Sequence, residues 1–156
     1  FVKRPEMEEV MERLLVCANL DALMTEHAIK NLNDEELSQL YTILTKMDNL
    51  EISEEEYSSL NIEFHTIIYK AAKLPYTFTL ANQLWDYLNY VGNPAMLFSQ
   101  DRRKQSQAEH WMIYYSLKER DAKLAKKLME KHLTRIADSV SEKYQLGIAQ
   151  EVVNEI

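Results

Sequence analysis

Along most of the chain an apolar residue returns at every third or fourth position, the spacing that lays a stripe down one side of a helix. Val10, Leu14, Cys17, Leu20 and Met24 keep that interval and predict a first helix from about Glu6 to Asn31. Asn33 reads as the N-cap of a second helix, which has an acidic first turn and carries Leu37, Leu40, Tyr41 and Leu44 to about Met47. The connector DNLEISEEEY holds Ser53 and, three residues on, Glu56, a capping-box pattern that opens a third helix to about Lys73. Pro75, tolerated in a first turn, begins a fourth over about Tyr76–Val91, rich in aromatic residues. Gly92-Asn93-Pro94 is the clearest break. A fifth helix is predicted over about Ser99–Lys118. Asp121 caps a sixth that runs to about Tyr144 and ends at Gly147, leaving a short C-terminal tail over 147–156. No repeat, low-complexity segment or convincing strand period interrupts this series. The expected fold is all-α, an antiparallel bundle of about six helices over residues 6–146.

Composition agrees with long helices. The 156 residues include only two Gly and three Pro, and 46% are hydrophobic, enough for one cored domain. A net charge of −7 argues against a chain that grips phosphate backbones by itself. The one cysteine, Cys17, cannot form an intramolecular disulfide and lies on an apolar stripe, which fits a packed thiol in a reducing, cytoplasmic setting. No apolar run is long enough to span a membrane, and no signal-peptide pattern opens the chain.

The polar residues that break the stripes carry the chemistry. Asn61, Phe64, His65 and Ile68 share one face of the third helix. His110 falls in line with Ile113, Tyr114 and Leu117, and His132 with Ala125, Leu128, Met129 and Ile136. Three helices thus each aim a histidine at the interior, whereas His27 sits near the end of the first helix as a surface residue. One such histidine is ordinarily a hydrogen-bonded core residue. Three on three helices share the cost of burial if they share a partner, and a divalent cation is the commonest. Asn61, one turn before His65, adds an oxygen. Residues three before the histidines are never acidic, which excludes the di-iron carboxylate bundles. The His-Glu-x-x-His, Gly-rich phosphate-loop and Gly-x-Ser-x-Gly motifs are also absent.

NIEFH at 61–65, Glu109-His110, and RDAKLAKKLMEKHL at 120–133 together resemble the FCD domain, the effector-binding half of FadR-type GntR transcription regulators. His110 follows His65 by 45 residues and precedes His132 by 22, with Asp121, Ala125, Met129 and Leu133 in the family's order. The resemblance covers about residues 6–140. It implies a divalent metal, Zn or Ni, held by His65, His110 and His132, with Asn61 where the family carries Asp. It further implies a small-molecule effector, an organic acid in many relatives, and a homodimer. FVKRP, residues 1–5, resembles the last residues of a winged-helix wing and its linker. Operator DNA would then be reached through an N-terminal domain outside this chain.

Two departures from the family bear on that expectation. Asn61 brings no charge, so the cation would be held more weakly. The fourth helix has no Arg or Lys with which to meet an effector carboxylate. Arg13, Gln83, Asn89 and Tyr114 are the candidate effector-binding residues, with Asn82 a further polar candidate, and Arg102 and Arg103 are expected on the surface. Glu109 is a candidate to orient a metal-bound histidine.

The sequence therefore supports a regulator's sensor domain rather than an enzyme. A three-histidine hydrolase would need a general base beside the metal, and Glu109 points about 100° away from His110 on a helix. A metal-free regulator domain, whose histidines only hydrogen-bond, is the alternative that Asn61 keeps open.

Overall fold

The structure, a computed structural model, describes residues 6–91 and 100–155. They form six helices: α1 (Met7–Ala28), α2 (Asp34–Met47), α3 (Glu54–Ala71), α4 (Pro75–Val91), α5 (Gln100–Lys118) and α6 (Ala122–Glu155). No strand occurs among the described residues, and none of their helices is long and apolar enough to cross a membrane. The wing-like residues 1–5 and the Gly-Asn-Pro break lie outside the described residues.

The helix starts follow their side-chain chemistry. Asn33 Oδ1 accepts from the Glu36 amide at 2.7 Å, and the Glu36 carboxylate accepts from the Asn33 amide at 3.3 Å. This is a complete capping box, which quiets two of the unpaired amides of the first turn. At the expected box, Ser53 makes only the forward bond, to the Glu56 amide at 3.0 Å. Asp121 Oδ1 caps α6 through the Leu124 amide at 3.1 Å.

The helix ends depart from expectation in three places. α1 stops at Ala28 rather than Asn31, because the Asn31 side chain leaves to donate to the Ala71 carbonyl at 2.8 Å. α3 stops at Ala71, two residues before Lys73, whose φ of 59° is left-handed. α6 runs through Gly147 to Glu155, past the expected end near Tyr144. One interior glycine costs a helix only about 1 kcal/mol, too little to break a run of helix formers without proline.

The turn between α5 and α6 is short and closed. Arg120 has φ 63°, and the next amide, Asp121, bonds back to the Ser116 carbonyl at 3.0 Å. This is the left-handed C-terminal cap usually built on glycine. The Arg120 guanidinium also donates to the Ile29 carbonyl at 2.8 Å, tying the turn to the end of α1.

α1 packs against α6, α4 and α3, while α2 fills the space between α3 and α5. The main core joins Met24, Leu40, Leu44, Met47, Tyr57, Phe64, Ile68, Ile113, Leu117 and Met129, all fully buried. A smaller cluster of Val10, Leu14, Cys17 and Ala137 lies under Leu84, Trp85 and Tyr87. Burial there pushes the Cys17 thiol up to about 12, leaving it a packing group. Arg103 corrects the sequence reading, which put it on the surface. It is 3% exposed, donates to the Ile52 carbonyl at 2.9 Å and lies over the Tyr57 ring. Its long stem lets the charge close an open carbonyl of the α2–α3 connector.

Candidate functional site

His110 and His132 stand eleven residues before and after Asp121. In an antiparallel hairpin with a tight turn, residues equidistant from the turn lie at the same height, since both helices rise about 1.5 Å per residue. Their rings accordingly meet at 4.7 Å between centroids. His65, from α3, completes the group at 5.3 Å from His110 and 5.6 Å from His132. One ring nitrogen from each of the three lies within 4.8 Å of the other two. Phe64 braces the cluster from below, its ring 5.0 Å from that of His110.

Each Nδ1 has its own partner. His110 Nδ1 lies 3.2 Å from Gln107 Oε1, His132 Nδ1 3.3 Å from Glu109 Oε1, and His65 Nδ1 3.1 Å from the Tyr69 hydroxyl. The Gln107 amide nitrogen already donates to the Leu44 carbonyl and to Asp48 Oδ1, both at 2.8 Å, so its oxygen is left to accept. A carboxylate can only accept. These two partners therefore place the proton on Nδ1 of His110 and His132 and leave Nε2 a bare lone pair. Those same Nε2 atoms are buried without any hydrogen-bond partner.

Burial disfavours the charged form of two of the rings. It lowers the pKa of His65 to about 3, with the His132 charge a lesser cause, and lowers that of His110 well below its ordinary value. Three imidazoles gathered this closely, two of them with buried and unpartnered Nε2 atoms, are the donor set of a divalent transition metal. The side chains behind them, Gln107, Glu109 and Tyr69, are of the kind that orients metal-bound histidines.

A cavity of about 180 Å³ opens beside the cluster, lined from α1, α3, α4 and α6. Asn61 and His65 stand on its α3 wall, Asn82 and Trp85 on its α4 wall. Asn61 is therefore one turn from His65 and faces the same space. The other expected effector contacts are elsewhere. Arg13 is drawn away by Glu9, at 2.8 Å, and stacks over Tyr87 at 3.8 Å. Gln83 is exposed and absent from the cavity lining. Tyr114 is buried among Tyr41, Trp111 and Tyr115, beside a different groove. The Asn89 side chain lies outside the described residues.

Sequence reasoning missed Asp21 and Gln107. Asp21 is fully buried in α1, lines the cavity, and accepts from Trp85 Nε1 at 2.9 Å through Oδ2. The signal was an acid on the stripe of Leu14, Cys17 and Ala28, at helical spacing. Gln107 gave a like signal, one turn before His110.

No protein of curated function matches the sequence significantly. The FCD domain family matches residues 12–135, a span that includes all three clustered histidines and the α1 wall of the cavity. That match covers well over half of the chain, and it settles the lineage of this six-helix bundle: the chain belongs to the FCD domain family, the effector-binding domains of GntR-type regulators.

Proposed function

We propose that this chain is the sensor of a DNA-binding transcriptional regulator, taking a small molecule into the cavity beside a divalent metal held by His65, His110 and His132. The observation that carries this reading is the pair of buried, unpartnered Nε2 atoms on His110 and His132, in a cluster with His65 beside a cavity. When bound, Zn or Ni supplies a Lewis-acidic anchor for an oxygen of the effector, a carboxylate in the simplest case. Asn61 offers a neutral oxygen at the cavity edge. A cavity of about 180 Å³ suits an effector of small-metabolite size, below the ~300 Å³ at which drug-sized sites begin.

The regulatory step follows from where the walls come from. α1, α3, α4 and α6 each contribute to the cavity, so an occupant that fits one arrangement better shifts the population toward it. In a homodimer, that shift would reset the spacing of two winged-helix domains attached at the N-termini, and so operator affinity. Enzymatic turnover is not part of this reading: Glu109, the nearest carboxylate to the cluster, is spent on His132 and Arg135.

The test is elemental analysis of protein purified without a metal column or chelator. About one equivalent of Zn or Ni per chain, lost in His132→Ala, supports the metal-linked sensor. No metal, even after dialysis against both cations, overturns the metal and favours the second reading that Asn61 motivates. In that reading the same cavity takes its ligand without one.

A further inference from the structure

Asp21 is the least explained group in the cavity. It is 0% exposed, and its Oδ2 is held by Trp85. Its Oδ1 has no hydrogen-bond partner, although the Tyr69 hydroxyl stands close enough to act on the carboxyl. A buried carboxyl with an empty acceptor is costly unless a ligand fills it. Among the described residues no basic side chain stands in reserve. The cavity lining includes a second acid, Asp86, and contains no Lys or Arg, while Arg13 is already committed to Glu9 and Tyr87.

We propose that the α1–α4 end of the cavity is a subsite for an ammonium group, with Asp21 as its counter-ion and Trp85 as the residue that aims it. Three further observations fit. Trp85 pins one oxygen of a carboxyl that belongs to the cavity wall and so fixes its orientation. Ser58, Thr66 and Asn82 line the same space and supply neutral acceptors for the remaining ammonium protons. Burial also pushes the Asp21 carboxyl up to about 7, so the empty site is poised to ionise when a cation arrives. The α3 wall of the same cavity holds His65 and Asn61, so one ligand can present an anionic end to the metal and an ammonium to Asp21. The effector class is therefore a small amino acid rather than a plain organic acid. This inference rests on the sensor reading above.

The experiment is calorimetric titration of the Zn-loaded chain with two matched series. One runs from glycine to 6-aminohexanoate with the amine at the far end; the other is the corresponding unsubstituted carboxylates, acetate to hexanoate. The expected result is at least one amino compound binding tenfold or more tighter than its deaminated partner. Asp21→Asn should erase that advantage and leave carboxylate affinity within about twofold. Carboxylates that bind with no gain from the amine would overturn the ammonium subsite and leave the sensor reading standing. An advantage that survives in a folded Asp21→Asn would place the ammonium elsewhere and also overturn it. Failure of both series to bind would count against the subsite and the sensor reading together. Should Asp21→Asn not fold, the wild-type comparison alone decides.

Discussion

Glu109 Oε1 lies 3.3 Å from His132 Nδ1, bridging α5 and α6 behind the face that His132 turns to the other two histidines. The carboxylate holds the proton on Nδ1 and makes Nε2 the more basic donor. Glu109→Ala is expected to weaken Zn binding by about 10- to 100-fold, measured by competition with a chromogenic chelator. Arg135→Ala, which touches the same carboxylate at 3.4 Å but is itself exposed, should change it by less than about threefold.

Gln107 joins the site to the end of α2. Its amide nitrogen serves both the Leu44 carbonyl and Asp48, and its oxygen orients His110. Gln107→Ala leaves the buried His110 Nδ1–H unpaired, while the Leu44 carbonyl keeps the Asp48 amide and Asp48 Oδ1 keeps Trp111 Nε1. Urea denaturation should show a loss of about 1–3 kcal/mol, and metal affinity should fall with it.

Phe64 is fully buried against the rings of both His65 and His110. Phe64→Ala is expected to cost about 3–5 kcal/mol in stability. Phe64→Leu, which keeps most of the volume, should cost less than half of that in the same denaturation experiment.

Asp21 sets a pH dependence of known sign. Its carboxyl is raised from an ordinary 3.8 to about 7, so between those values the folded chain keeps a proton that the unfolded chain has released. Its contribution is full below about pH 4 and is lost as pH rises toward 7, at up to about 1.4 kcal/mol per pH unit. His65 and His110, lowered in the fold, act in the opposite direction on the acid side. The Asp21 slope is therefore read as a difference. In metal-free protein, wild type should lose stability relative to Asp21→Asn across pH 4–7, in thermal or urea melts.

Among the described residues two that are not glycine hold left-handed φ, Lys73 at 59° and Arg120 at 63°. A glycine at Lys73 relieves a backbone cost of about 1–2 kcal/mol and should raise stability by up to about 1 kcal/mol after its own unfolded-state entropy. Arg120→Gly gains the same relief but loses the bond to the Ile29 carbonyl, and should come out near neutral.

The sequence displayed the bundle because its cores are periodic: Leu37, Leu40 and Leu44 are buried at the spacing that predicted them. His65, His110 and His132 were legible for the same reason, each standing on a stripe. Asp21 stood on a stripe too, yet an isolated acid in a helix carries no spacing pattern that names its partner. Trp85 lies 64 residues away. Arg103 was misjudged because its burial depends on a connector carbonyl, and nothing local announces that Ile52 needs a donor. The end of α5 at Lys118 was read correctly, but the end of α3 at Ala71 was blurred because a lysine, Lys73, occupies the left-handed turn position where glycine would have been the signal.

The α5–α6 turn has a meaning beyond its hydrogen bonds. Connections between helices usually tolerate insertion and deletion, since they lie outside the core. Here one added residue would slide His132 about 1.5 Å along its axis and swing it about 100° around it, carrying its lone pair away from His110. The turn is thus a length standard for the pair of donors. Drift in this turn can alter its letters more freely than its residue count.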